Sequence, residues 1–194
     1  MKDLVRLRTS LKEEIEIVLN AQCSMEAHAS QKYLAMASWL ERNGFLKSAA
    51  YMYKQSEEER EHFLKIFKYI NAVGGTAITP IIGEVPQEYI TLKSIFEVAL
   101  QSEIAVSNSI NKIVGKCREV NDYATEEFMM WFVKEQREEE ENARRALELF
   151  DLIDVDSSTG KFFLDKEIAK IGHNDYGIGM DFGGFLGIQI FDSQ

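Results

Sequence analysis

Proline is almost missing from this chain: two residues in 194, Pro80 and Pro86. Proline is the residue that breaks helices, so long stretches of the chain are free to form them. Cysteine is as scarce. Cys23 and Cys117 are too few to staple a small fold or to build a zinc cluster, and read as buried, inert thiols. Basic residues are also short, 22 Lys and Arg against 32 Asp and Glu, a formal net charge of −10. That balance excludes the basic surface that nucleic acids and anionic membranes require, and it leaves room for cations. No apolar run approaches the roughly 18 residues of a membrane span. The stretch from Met1 to Leu19 is broken by charges, unlike a signal peptide, and a cytoplasmic location is the resulting expectation. What the chain does hold is 45% hydrophobic and 28% charged residues, the make-up of a globular domain with a core.

Turn-forming residues cluster in few places. Asn43-Gly44 is the first break, Gly74-Gly75 opens a stretch containing Pro80, Gly83 and Pro86, and Asn121-Asp122 is the third. Asp156-Ser157-Ser158-Thr159-Gly160 is the fourth, and six of the twelve glycines lie from Gly172 onward. Between these breaks lie four segments, roughly 4–42, 45–73, 91–120 and 122–151. Each carries a seam with the three–four spacing of a helix. The first reads Ile15, Leu19, Gln22, Glu26, Ala29, Tyr33, Met36, Leu40 and the second Ala49, Met52, Ser56, Glu59, Phe63, Ile66, Ile70. The third reads Leu92, Phe96, Ala99, Glu103, Val106, Ile110, Ile113, Cys117 and the fourth Thr125, Met129, Phe132, Gln136, Glu139, Ala143, Ala146, Phe150.

Four helices of about 45 Å with such seams predict a four-helix bundle. The short links at Asn43-Gly44 and Asn121-Asp122 make each flanking pair an antiparallel hairpin. The stretch 74–90 is too long for a hairpin, and at about 3.3 Å per residue it can run the length of the bundle. The expected fold is therefore all-α, with a long crossover joining two helical hairpins. A short fifth helix is expected to start near Leu164, with Asp165 and Glu167 favouring its N-terminus, and to end at Gly172.

The polar residues in the seams carry the chemistry. Each seam holds one carboxylate near its middle: Glu26, Glu59, Glu103 and Glu139. A lone buried carboxylate costs several kcal/mol. Four at one level of a bundle, with no Lys or Arg in the seams, require a positive partner, and a metal is the simplest. His62 follows Glu59 by three residues and shares its face, and Gln136 precedes Glu139 by the same step. The set is Glu, Glu-x-x-His, Glu, and Gln-x-x-Glu, one element per helix. Ferritin-like di-metal bundles use Glu from two helices and Glu-x-x-His from the other two, so the match is complete on three helices and altered on the fourth.

Over about residues 10–172 the sequence resembles a bacterial non-haem ferritin, of the ferritin-like di-iron superfamily. The resemblance rests on Glu26 with Tyr33, on Glu58-Glu59-Arg60-Glu61-His62, on Glu103, and on Trp131-Phe132-Val133-Lys134-Glu135-Gln136-Arg137-Glu138-Glu139-Glu140. Bacterioferritins are less similar, having a His where this chain has Glu139, and no haem is expected. The resemblance implies one iron site of Glu26, Glu59 and His62, and a second of bridging Glu59 with Glu103 and Glu139. It implies a third site, facing a storage cavity, from Glu58, Glu135 and Glu138 with Glu139 shared. It places Gln136 beside the iron as a polar group toward oxygen, and makes Tyr33 and Trp131 electron donors. The implied activity is oxidation of ferrous iron by dioxygen, or hydrogen peroxide, followed by mineral storage in a shell of 24 identical subunits. Acidic residues at the junction of the third and fourth helices, Glu119, Asp122, Glu126 and Glu127, would suit cation passage into such a shell.

Other readings share these residues. A di-iron oxidase or peroxide scavenger that stores no mineral would have the same ligands, and a helical interaction bundle would bind nothing. His28 lies two positions from Glu26 and reads as a surface residue; His173 reads as a loop residue. Residues 173–194, Gly-rich yet apolar, form a separate tail that could dock on the shell or on a partner.

Overall fold

The computed structural model describes residue 5 and residues 8–172 of the chain. The tail expected at 173–194, and His173 with it, lie outside the described residues. Four long helices and one short one make up the fold: α1 (Glu13–Arg42), α2 (Leu46–Ala72), α3 (Leu92–Val120), α4 (Tyr123–Leu152) and α5 (Ser158–Ile168). There is no strand among the described residues.

The helix ends follow local chemistry. At the start of α3, Thr91 and Ser94 form a reciprocal capping box, and Asp122 caps α4 through the Thr125 amide at 3.1 Å. Asn121 ends α3 in the left-handed conformation, φ 59°, which Asn tolerates, and turns the chain straight into α4. The first helix begins at Glu13, later than the expected 4, with Glu13, Glu14 and Glu16 in its first turn facing the positive end of the helix dipole.

The fifth helix differs more from expectation. It starts at Ser158, six residues before Leu164, and ends at Ile168, before Gly172. The expected break is real, but its helical side comes early: α4 ends at Leu152, Asp156 and Ser157 lie in the turn, and Ser158 to Gly160 already open the helix. Ser157 caps it, its hydroxyl accepting from the Gly160 amide at 3.0 Å. Gly160 is required by close approach, since a Cβ there would stand 1.7 Å from the Asp154 carbonyl oxygen. Asp165 therefore lies inside α5 and serves another helix. Its carboxylate accepts from the Ser48 amide and hydroxyl, each at 2.8 Å, and from the Lys47 amide at 3.2 Å. α2 has no cap of its own, so Asp165 caps it from across the chain and anchors α5 there.

Residues 73–91 form the crossover and are strapped along α1. Thr76 is held by Glu16 and Asn20, the Glu84 carbonyl meets His28, and Gln87 and Glu88 bind Arg42. Tyr89 then packs edge-on against Trp39. The strap thus travels from the beginning of α1 to its end, and α3 starts there. His28 is half-buried beneath it, not on an open surface.

The seam residues are buried throughout, except Phe63 and Leu92, which are half-buried. Their apolar members do not form one continuous core. One cluster gathers Met36, Leu40, Met52, Phe96, Phe150 and Leu164; the other gathers Leu19, Ile66, Ile70, Ile110, Met129 and Phe132. Along every long helix the buried acids fall between the two.

Candidate metal centre

Helical spacing brings the acids to one level. Glu59 and His62, three residues apart on α2, project from one face, and Glu26 comes from the antiparallel α1 beside it. The ligand atoms of these three residues all lie within 4.8 Å of one another, and all three side chains are buried. Glu26 accepts one hydrogen bond, from the Gln22 amide at 2.8 Å. Its other oxygen, Oε2, has no partner, and neither has Glu59 Oε2. His62 Nδ1 stands 3.6 Å from Glu59 Oε2, beyond hydrogen-bond length. The imidazole is fixed instead by rings, edge-on to Trp131 at 5.5 Å and to Phe132 at 5.9 Å.

Burial pushes both carboxyls well above the usual carboxylate range. The charge of Glu59 adds to the shift at Glu26, and that of Glu103 to the shift at Glu59. Two buried acids with orphan oxygens, converging beside an imidazole, form a donor set suited to a divalent first-row cation. A cation there would give the orphan oxygens a partner and lower the electrostatic cost of their burial.

The second pair of helices supplies acids in a different state. Glu103 on α3 accepts from the Tyr33 hydroxyl and, at 3.0 Å, from the Gln136 amide, which also reaches the Glu103 carbonyl at 3.2 Å. Burial raises the Glu103 carboxyl, and these two hydrogen bonds oppose the shift. Glu139 on α4 accepts from the Gln55 amide at 3.3 Å. Burial, then the charges of Glu103 and Glu58, push its carboxyl up to about 8. Tyr33 is driven well above the usual phenol range by burial and by Glu103, so it remains a proton donor.

Residues 18–153 match the family profile of the ferritin-like domain. The chain belongs to the ferritin family. A probable bacterial non-haem ferritin-like protein of Haemophilus influenzae is 32% identical over 161 residues, 83% of this chain and 97% of that protein. A bacterial non-haem ferritin of Bacteroides fragilis is 34% identical over 160 residues, 82% and 99% of the two. Among solved structures, an open-pore ferritin of the hyperthermophilic archaeon Archaeoglobus fulgidus superposes with a TM-score of 0.79 at 32% identity, covering 82% of this chain and 97% of that one. The iron-storage family and the four-helix bundle with a short fifth helix, both expected from the sequence, are thereby established. No helix among the described residues is long and apolar enough to cross a membrane.

Within this ferritin the remaining expected residues are placed unevenly. Glu103 and Glu139 stand outside the compact Glu26–Glu59–His62 group, although the charge of each acts on Glu59. Glu58 is half-buried and tied to Lys54 at 3.0 Å and to Gln55 at 2.6 Å. Glu135 is half-buried and Glu138 exposed on α4. Trp131 is 37% exposed, with the Lys65 ammonium 3.8 Å above its ring. At the α3–α4 junction, Asp122 serves as a cap, Glu126 pairs with Arg118 at 2.8 Å and Glu119 with Lys116 at 3.3 Å.

Sequence reasoning did not assign two glutamines that hold the acids. Gln22 carries Glu26 and is itself held by Ser109 at 2.6 Å; its signal was a polar residue in the α1 seam one turn before Glu26. Gln55 links Glu58 to Glu139, and its only signal was its place one turn before Glu58 and Glu59.

Proposed function

We propose that this ferritin is a ferroxidase that oxidises ferrous iron at a dinuclear site and stores the ferric product as mineral. The orphan oxygens of Glu26 and Glu59 beside His62 support this most directly. Iron is the substrate. Glu26, Glu59 and His62 take one ferrous ion; Glu59 bridges to a second, held with Glu103 and Glu139. Four carboxylates and two ferrous ions balance in charge, which a single buried ion does not achieve. Carboxyls that hold protons before iron arrives release them on binding. Imidazole retains affinity for the ferrous state, and hard carboxylate oxygens favour the ferric product. Each ion gives up one electron, and dioxygen takes the pair with two protons and leaves as hydrogen peroxide.

Around this exchange the protein's own groups do positional work. Gln136 and Tyr33 hold Glu103, Gln55 holds Glu139, and Gln22 holds Glu26. Tyr33, bonded to Glu103, and Trp131, edge-on to His62, are the electron donors in this reading. Ferric product passes to a third site of Glu58, Glu135 and Glu138 with Glu139 shared, and on into the cavity of a shell of about 24 subunits, a closed symmetric assembly. The five helices from Glu13 to Ile168 form the bundle of that shell.

Ferrous iron added in air to the purified protein tests this. The expected result is rapid ferric absorbance, then a soluble core far above two irons per chain, in a particle of roughly half a million daltons. Glu59→Ala and His62→Ala should each slow the fast phase by at least about 100-fold. Turnover with no core would point to a non-storing oxidase, and absence of iron-dependent oxidation would refute both.

A further inference from the structure

Between α3 and α4 lies a cleft of about 190 Å³ that none of the roles above uses. Its lining includes Ser107, Gln136, Arg137, Glu140 and Arg144. Gln136 belongs both to the cleft and to the metal centre, because its amide donates to Glu103 Oε2 at 3.0 Å.

The Ser107 hydroxyl in this lining is buried and has no hydrogen-bond partner. A helical serine ordinarily donates to the carbonyl four residues back. For Ser107 that carbonyl belongs to Glu103, and both its lone pairs are used. One accepts the helical amide of residue 107, and the other accepts from Gln136 Nε2 at 3.2 Å. The hydroxyl is thus left to a guest in the cleft.

Charge narrows the guest. Two guanidiniums face one carboxylate, with Arg144 paired to Glu140 at 2.9 Å, so the lining carries a net positive charge in a chain of net charge −10. Ferrous ions are repelled there and drawn instead to the acid side of Glu58 and Glu139. An anion would meet Glu140. A small uncharged molecule that both donates and accepts hydrogen bonds suits Ser107 and Gln136.

We propose that the α3–α4 cleft is the way in for hydrogen peroxide, kept apart from the way in for iron. It rests on the ferroxidase reading above. Ser107 receives the peroxide, and Gln136 is the last side chain between it and Glu103. At the iron the O–O bond breaks: two ferrous ions give one electron each, two protons are taken up, and two waters form.

Two variants and two oxidants test the route, with stopped-flow oxidation of ferrous iron by peroxide under argon and by dioxygen. Ser107→Leu fills the cleft, and Ser107→Ala removes only the hydroxyl. Ser107→Leu should slow the peroxide reaction about tenfold and the dioxygen reaction less than about twofold, since dioxygen is apolar and uses no hydrogen bond. Ser107→Ala should slow the peroxide reaction about threefold and leave dioxygen unchanged. Anaerobic ferrous titration should give wild-type stoichiometry for both variants. Should Ser107→Leu not fold, Ser107→Ala decides with the same pair of oxidants. Unchanged peroxide rates, or equal falls with both oxidants, overturn the route while leaving the ferroxidase standing. Absence of oxidation by either oxidant in the wild type overturns the ferroxidase itself.

Discussion

The two halves of the proposed metal centre are built from the same residue type in opposite states. On α1 and α2, Glu26 and Glu59 each present an oxygen with no donor. Toward α3 and α4, Glu103 has Tyr33 and Gln136, and Glu139 has Gln55. An unsatisfied buried acceptor costs about 1–3 kcal/mol, a cost that a proton or a cation removes. The first half is therefore dependent on a ligand for its stability, whereas the second is held by protein groups whether or not a ligand is bound. On the ferroxidase reading proposed above, the site benefits from both, one side that attracts an ion and one that keeps its shape.

The largest expected effect separates the halves through cation-induced stabilisation. At about 100 times its dissociation constant, a redox-inert divalent cation should add about 2.7 kcal/mol, or roughly 5–10 °C in melting temperature. Glu26→Gln should remove most of that gain without lowering the melting temperature measured in chelator. Glu103→Gln should do the reverse in chelator, costing about 1 kcal/mol because Gln offers one acceptor oxygen where two donors wait. Equal losses in chelator for the two variants would erase the contrast.

Acidity gives the next effect. The four acids have folded-state affinities for protons above their unfolded ones, so the folded protein binds more protons. Stability from this source is complete below the ordinary carboxyl value of 4.5 and is lost as pH rises through the folded values, about 8 for Glu139. Melting curves in chelator should shift downward across that window. With saturating cation the slope across that window should vanish, because ions then hold the folded acids free of protons and the unfolded acids are already ionised above 4.5. A flat profile in chelator would mean that the acids share no such burden. The smallest effect is expected at Tyr33→Phe, about 1 kcal/mol in chelator with the cation-induced gain nearly intact.

The helical seams were fully legible because burial in a bundle depends on a simple period, which is why Glu26, Glu59, Glu103 and Glu139 could be singled out among 32 acids. Glu58, Glu135 and Glu138 lie off that period, and a solvated acid and a cavity-facing acid then look alike in sequence. The early start of α5 was hidden because Ser, Asp and Gly serve both turns and helix starts. Asp165 could not be assigned to α2 from sequence, since the partner it caps is more than 100 residues away in the chain. Gln22 and Gln55 were missed because a seam marks who is buried and not who holds whom.

The strap along α1 separates connection from cohesion. It meets α1 mainly through polar groups at Glu16, Asn20, His28 and Arg42, while the apolar clusters that bind the two hairpins lie elsewhere. Ile81, 96% exposed in the middle of the strap, is open to a protease. A single cut there would leave α1 and α2 on one piece and α3, α4 and α5 on the other, and the buried seams are expected to hold the two together. Cohesion of the closed bundle would then rest on its seams and on the few apolar anchors of the strap, Ala77 and Tyr89, and no longer on the covalent link.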